Sequence, residues 1–183
     1  MAKTLVLYYS KYGTTKRYAE WIASELDGDI CSIRDVKQKN WGNYDVVVIG
    51  SALYAGTIKG MDIILKNHET LRGKKLVLFT CGLADYSKAE NRNEIAGRIE
   101  LAIPDNIRQE VKTYFLRGGI DHKKLSWIHR MMMVFAKHML VKNKGGDMSE
   151  MDRDFLETYR KTVDFTDRNS ITEIVEYCKN GGL

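Results

Sequence analysis

The stretch Leu5-Val-Leu-Tyr-Tyr-Ser-Lys-Tyr-Gly-Thr-Thr-Lys-Arg-Tyr-Ala-Glu-Trp-Ile-Ala23 runs from an apolar strand, through a loop bearing hydroxyls and one glycine, directly into a helical pattern. Ala19, Ile22, Ala23 and Leu26 recur at i, i+3, i+4 and i+7, which predicts an amphipathic helix that stops at Gly28. The first amides of a helix have no intrahelical acceptor, and the helix dipole adds about half a positive charge at that end. With Ser10, Thr14 and Thr15 as hydroxyl donors, the junction has the outline of a phosphate site. The plainer reading is a strand-to-helix turn with a Ser/Thr cap.

Working outward, apolar strand candidates recur at Thr4 to Tyr9, Ile30 to Ile33, Val46 to Gly50, Lys75 to Thr80 and Val111 to Leu116, with helical patterns between them. Strands that are apolar almost throughout and alternate with helices predict a parallel sheet covered on both faces, a doubly wound α/β sandwich. Capping boxes are expected at Ser87-Lys-Ala-Glu90 and at Ser170-Ile-Thr-Glu173, the latter helix closing at Gly181. No repeat, low-complexity tract or Pro/Gly-rich linker interrupts the chain, so its 183 residues are expected to form one domain, 1–183.

Composition removes several functional classes. No basic segment followed by an apolar one opens the chain, and no apolar run approaches the roughly 20 residues of a membrane span, so a soluble, cytoplasmic protein is expected. Cys31, Cys81 and Cys178 form no CxxC, and the four histidines show neither HxxxH nor HExxH spacing, so neither a disulfide framework nor a metal site is indicated. The net charge of +5 has one source. Between Asp121 and Asp147 lie Lys123, Lys124, Arg130, Lys137, Lys142 and Lys144 with no acid; without these six of the 29 bases, 23 remain against 24 acids.

In a doubly wound sheet, ligands bind beyond the carboxyl ends of the strands, where the strand order reverses. The loop Ser10-Lys-Tyr-Gly-Thr-Thr15 lacks GxGxxG and GxxxxGK[ST], which excludes dinucleotide and P-loop readings. It has no nucleophilic cysteine for a phosphotyrosine phosphatase, and no acidic pair for a response-regulator receiver ends the first strand. After the third strand comes Gly50-Ser-Ala-Leu-Tyr-Ala-Gly56, and after the fourth Thr80-Cys-Gly-Leu-Ala-Asp-Tyr86. Both carry small residues that admit a flat ligand and an aromatic that could stack on it.

With these three loops on one edge, the chain resembles the flavodoxin family of FMN-binding domains. The resemblance implies a five-stranded parallel sheet of order 2-1-3-4-5, with FMN as cofactor. It places the phosphate at Ser10, Lys11, Tyr12, Gly13, Thr14 and Thr15. One ring-contacting loop would be Ser51, Ala52, Leu53, Tyr54, Ala55 and Gly56, and the other Thr80, Cys81, Gly82, Leu83, Ala84 and Asp85. Gly56 is the candidate for a peptide that flips to meet the reduced flavin, and Tyr54 or Leu53 would replace the tryptophan wall of small flavodoxins. Cys81 reads more simply as a small buried hydrophobe at a strand end than as a redox group.

The segment from Asp121 to Asp147 departs from a minimal flavodoxin, which would pass from the fifth strand almost directly to the last helix. On a helix, Leu125, Ile128, Met132, Phe135 and Met139 share a stripe, widened by Trp127, Met131, Val134 and Val141, with Ser126, Arg130 and Lys137 opposite. Three readings stay open: a helix packed on the domain, a lid over an anionic aromatic substrate, or a basic amphipathic surface at 122–144 that touches the inner face of a membrane. Nucleic acid is disfavoured by the dominance of apolar residues. Gly-Gly before the segment, Gly-Gly-Asp at 145–147 and Val-Asp-Phe-Thr-Asp at 163–167 make the chain similar to the flavodoxin-like protoporphyrinogen IX dehydrogenases. That likeness implies oxidation of protoporphyrinogen IX or a similar anionic aromatic, with a quinone acceptor. The alternative is an electron carrier between redox proteins with no small-molecule substrate.

Overall fold

The computed structural model describes residues 2–38, 40–54, 57–142 and 148–180. Its strands are β1 (Thr4–Tyr8), β2 (Asp29–Ser32), β3 (Val46–Tyr54), β4 (Thr57–Lys59), β5 (Lys75–Gly82), β6 (Val111–Arg117), β7 (Gly119–Ile120) and β8 (Val163–Asp164). The helices are α1 (Thr14–Leu26), α2 (Asp62–Lys66), α3 (His68–Leu71), α4 (Ala89–Ala102), α5 (Asp105–Arg108), α6 (Trp127–Lys142), α7 (Glu150–Thr158) and α8 (Thr172–Lys179).

The five apolar runs form a parallel sheet of order β2-β1-β3-β5-β6, in register along the row Asp29, Leu5, Val47, Leu76, Val111. Counting only these parallel strands, the order is the expected 2-1-3-4-5. Short β4 adds an antiparallel hairpin to β3, and β7 pairs with β8 outside the main sheet. The strands had to be apolar at every position because both faces are covered. Leu5, Leu7, Val47, Ile49, Leu76 and Leu78 pack with Ile63, Ile64, Leu71, Ile95 and Ile99 of α2 to α4. Val6, Val46, Val48, Val77 and Phe79 pack with Tyr18, Ala19, Ile22 of α1 and Ile174, Val175 of α8. Each such aliphatic side chain contributes about 1.5–3 kcal/mol by leaving water.

Several local expectations are corrected. The left-handed residue that ends α1 is Asp27, with φ 47°, and the Gly28 N–H closes back onto the Ala23 carbonyl. Neither capping box forms. The Ser87 hydroxyl donates to Asp85 Oδ1 at 2.7 Å, and α4 starts after Lys88 with no side-chain cap. The Ser170 hydroxyl donates to the Asp167 carbonyl, and Asp167 itself caps a 3₁₀ turn, Arg168–Ile171, that leads into α8. In both places a nearby aspartate is the stronger acceptor and starts the turn earlier.

The chain passes from β1 to β2 on one side and returns to β3 on the other, so the strand order reverses between β1 and β3. This opens a crevice at their carboxyl ends, beside the β1–α1 loop.

Candidate functional site

The β1–α1 loop turns on Gly13, whose φ of 100° is reached by glycine at little cost and by other residues only under strain. Gly13 is the N-cap of α1 and supplies no side chain, so no side-chain oxygen covers the first helical amides. Ser10 is not the helix cap: its Oγ accepts the Gly13 N–H at 3.1 Å and shapes the loop. The start of α1 is braced from distant sequence. Arg17 Nη1 donates to Asp164 Oδ2 at 2.6 Å and Thr166 Oγ1 at 2.7 Å. Tyr18 donates its hydroxyl to the Arg117 carbonyl and accepts the Asp167 N–H.

Beside this helix end lies a recess of about 40 Å³ lined by Tyr12, Thr14, Thr15, Ala52, Leu53, Cys81, Gly82, Gly118 and Gly119. Hydroxyls, uncovered helix amides and glycine backbone make this a donor set for an anion, with no acidic side chain in the lining. The Gly118 position keeps the recess open: a Cβ there would stand 2.8 Å from Cys81 Sγ and 3.4 Å from Thr14 Oγ1. Cys81 Sγ donates to Thr14 Oγ1 at 3.7 Å, and burial pushes its thiol up to about 11 against the hydrogen bonds of Thr14 and Thr15. It is a neutral thiol at physiological pH, consistent with its reading as a buried hydrophobe.

Tyr12, Leu53 and Gly119 also line a second, larger cavity of about 530 Å³. Its walls are Leu83 and Ala84 after β5, Ile120 and Leu125 after β6, His129, Met133, Ala136 and Leu140 along α6, and Met151 and Phe155 of α7. Helix α6 therefore forms one wall, and its inward row is 129, 133, 136 and 140. Of the expected stripe, Leu125, Met132, Phe135 and Met139 line the cavity as well, and Ile128 does not. Met132, Phe135 and Met139 reach the cavity edge while staying exposed, and Trp127, Ile128, Met131, Val134 and Val141 face away from it. No residue of α6 is fully buried, so the simple packed-helix reading does not describe it.

The N-terminal end of α6 is docked on the β1–α1 loop. Tyr12 Oη lies 2.6 Å from His129 Nδ1, Lys11 Nζ lies 3.4 Å from His129 Nε2, and the Ser126 N–H donates to Tyr12 Oη. Removal from water, and then the Lys11 charge, lower the His129 pKa. Arg130 donates to the Lys123 carbonyl and Lys137 stands over the Tyr159 ring at 4.7 Å, so neither base enters the cavity. The guanidinium in the lining, Arg98, is paired with Glu94 at 2.6 Å.

Of the residues expected from sequence, Tyr12, Thr14, Thr15, Ala52, Leu53, Cys81, Gly82, Leu83 and Ala84 converge on these two spaces. Ser10 and Gly13 shape the loop from outside the lining, and Lys11 meets α6. Ser51 and Thr80 are buried with no hydrogen-bond partner among the described residues, each one residue short of the recess. Tyr54 ends β3 opposite Thr57. Asp85 is turned toward α7 and Arg117, and Ala55 and Gly56 lie outside the described residues. Sequence reasoning missed Gly118, Gly119 and Ile120, although they follow β6 directly and the rule that loops after strands bind ligands applies to them equally. It also missed Met151 and Phe155, which no strand end signals.

Comparison with known proteins agrees with the fold. The flavodoxin domain family matches residues 5–147. The protoporphyrinogen IX dehydrogenase [quinone] of Escherichia coli is 22% identical over 172 residues, covering 90% of this chain and 88% of the relative. The flavodoxin of Maridesulfovibrio salexigens is 31% identical over 99 residues, covering 48% of this chain and 68% of the relative. Among solved structures, a flavoprotein in complex with FMN from Lactobacillus acidophilus aligns with a TM-score of 0.44 at 19% identity, covering 64% of this chain and 93% of that one. With the family matched over more than half of its length, the chain belongs to the flavodoxin domain family, whose cofactor is FMN.

Proposed function

We propose that this chain is an FMN-dependent oxidoreductase in which an apolar ring substrate enters beneath α6. The observation that carries this reading is that the two spaces adjoin: the hydroxyl-lined recess shares Tyr12, Leu53 and Gly119 with the 530 Å³ cavity. Thr14, Thr15 and the uncovered amides of α1 would hold the phosphate. Leu53 would lie along one side of the ring system, and Leu83 and Ala84 along the other. When bound, FMN supplies the electron or hydride transfer, and the chain positions it and sets its surroundings. Met133, Ala136 and Leu140 would keep water from the reacting region, where a lower dielectric strengthens every charge interaction.

The likeness to protoporphyrinogen IX dehydrogenase supports protoporphyrinogen IX, or a similar anionic aromatic, as substrate, with a quinone as acceptor. The lining is mostly apolar, with Tyr12, Arg98, His129 and Asp152 as its side-chain polar groups, so the macrocycle would enter and its carboxylates would stay toward solvent, away from Asp152. The likeness to a flavodoxin supports a second reading, an electron carrier in which α6 docks a partner protein. A bulky Ala136→Trp separates the two. In the enzyme reading, anaerobic porphyrinogen oxidation with a quinone falls at least tenfold, while FMN affinity and dithionite reduction of the flavin are retained. Absence of porphyrin from the unaltered protein at saturating acceptor leaves the carrier.

The face of α6 opposite the cavity supports peripheral contact with an anionic membrane through 122–144. Trp127 (74% exposed) and Met131 (61%) stand outward, and Lys123, Lys124 and Lys142 flank them. No helix among the described residues is long and apolar enough to cross a membrane, so such contact would lie in the plane of the interface.

A further inference from the structure

We infer that Asp154 of α7 positions the loop Gly82–Asp85 and makes α7 a working part of the cofactor site, an inference that rests on the FMN reading above. Asp154 is 3% exposed, and a carboxylate so placed is costly unless its oxygens are matched by donors. Its Oδ2 accepts the Asp85 N–H at 2.8 Å and Asn91 Nδ2 at 2.8 Å, and its Oδ1 accepts Lys88 Nζ at 3.2 Å. Asn91, also buried, donates in addition to the Asp85 carbonyl at 2.9 Å. Both backbone polar groups of Asp85 are thus held by one buried pair.

The same residue is fixed from its other side. The Asp85 carboxylate accepts the Ser87 N–H and hydroxyl and lies 3.6 Å from Arg117 Nη1 at the end of β6. Leu83 and Ala84, immediately before this anchor, line the large cavity. Met151 and Phe155 of α7 line it as well, so one helix both walls the cavity and holds the loop. Packing α7 against α4 does not require a buried charge, since apolar side chains of similar volume usually do as well or better. What a carboxylate adds here is an acceptor for one particular backbone amide, that of Asp85.

The substitutions differ in what they leave behind. Asp154→Asn keeps an oxygen for Asp85 N–H and Asn91 and removes the charge opposite Lys88, whereas Asp154→Ala removes the acceptor. In protein without cofactor, hydrogen exchange of the Asp85 amide should quicken about tenfold or more in Asp154→Ala and stay near the original in Asp154→Asn. With FMN, Asp154→Ala should weaken binding about tenfold and shift the midpoint potential, and Asp154→Asn should do neither. Should Asp154→Ala fail to fold, Asp154→Ser, whose hydroxyl is too short to reach the amide, is read in its place. Faster Asp85 exchange with unchanged FMN affinity and potential would reduce α7 to a structural brace and overturn the inference, as would unchanged exchange. Failure of the unaltered protein to bind FMN would sink the cofactor reading instead, with the exchange result still standing.

Discussion

Thr14 and Thr15 differ although they are adjacent. Thr15 is buried beside Cys81, and Thr14 stands half-buried at the mouth of the recess, where its Oγ1 already accepts from the thiol. A threonine hydroxyl that accepts with its lone pairs still has its proton to donate, so Thr14 can serve Cys81 and a phosphate together. Thr14→Ala with Thr15→Ala should therefore weaken FMN by roughly tenfold to a hundredfold per lost charge-assisted bond, with little effect on riboflavin, measured by quenching of flavin fluorescence. Equal losses for both ligands would show that the hydroxyls do not meet the phosphate. Cys81 gives an independent check at the same scale. With its thiol raised to about 11, it should resist alkylation by iodoacetamide at mildly alkaline pH until the protein unfolds.

At the scale of the element, α6 is held at its start more than along its length. Because an ammonium can only donate, Lys11 makes His129 Nε2 the acceptor, which leaves the ring proton on Nδ1 facing Tyr12. A second proton would set Nε2–H against the Lys11 charge in a half-buried place. The folded pKa lies below its ordinary value through burial and then Lys11, so the unfolded or undocked state takes up the proton first. Stabilisation of the docked helix is thus full above about pH 6.5 and is lost as the pH falls through the lower folded value. Protection of amides 126–142, corrected for intrinsic exchange, should hold steady down to about pH 6.5, drop as the pH is lowered further, and become flat in His129→Gln. A flat profile in the unaltered protein would show that this contact does not titrate.

At the scale of the whole molecule, the charge distribution matters more than its sum. The +5 excess lies in one segment, and the structure sets part of that segment along one wall of the cavity, with Trp127 and Met131 exposed on its outer side. Basic residues near an anionic surface contribute about 1 kcal/mol each at modest ionic strength, so the expected binding is reversible and salt-sensitive. Co-sedimentation with vesicles containing phosphatidylglycerol, but not with phosphatidylcholine alone, is expected. Lys123→Glu with Lys124→Glu should abolish it without changing FMN affinity. A partner protein in place of lipid would leave both vesicle types unbound. Membrane contact would also place the cavity beside the medium in which apolar quinones dissolve, which joins the surface to the proposed chemistry.

Residue pattern alone determined the sheet, its covered faces, its reversal point and the loop Ser10–Thr15, because these follow from periodicity and from backbone rules that act over a few residues. The convergence of Tyr12, Thr14, Leu53, Cys81 and Leu83 was legible for the same reason: each stands at or beyond the carboxyl end of a strand. The two expected capping boxes failed because Asp85 and Asp167, outside the four-residue motifs, offered better acceptors. The docking of α6 through His129 on Lys11 and Tyr12, more than a hundred residues away, was decided by tertiary packing, and four residues of the expected stripe, Leu125, Met132, Phe135 and Met139, line the cavity beside it. The place of α7 was decided by Asp154 reaching Asp85 and Asn91. Burying a carboxylate is favourable only where tertiary packing brings its donors together, and no local pattern carries that information.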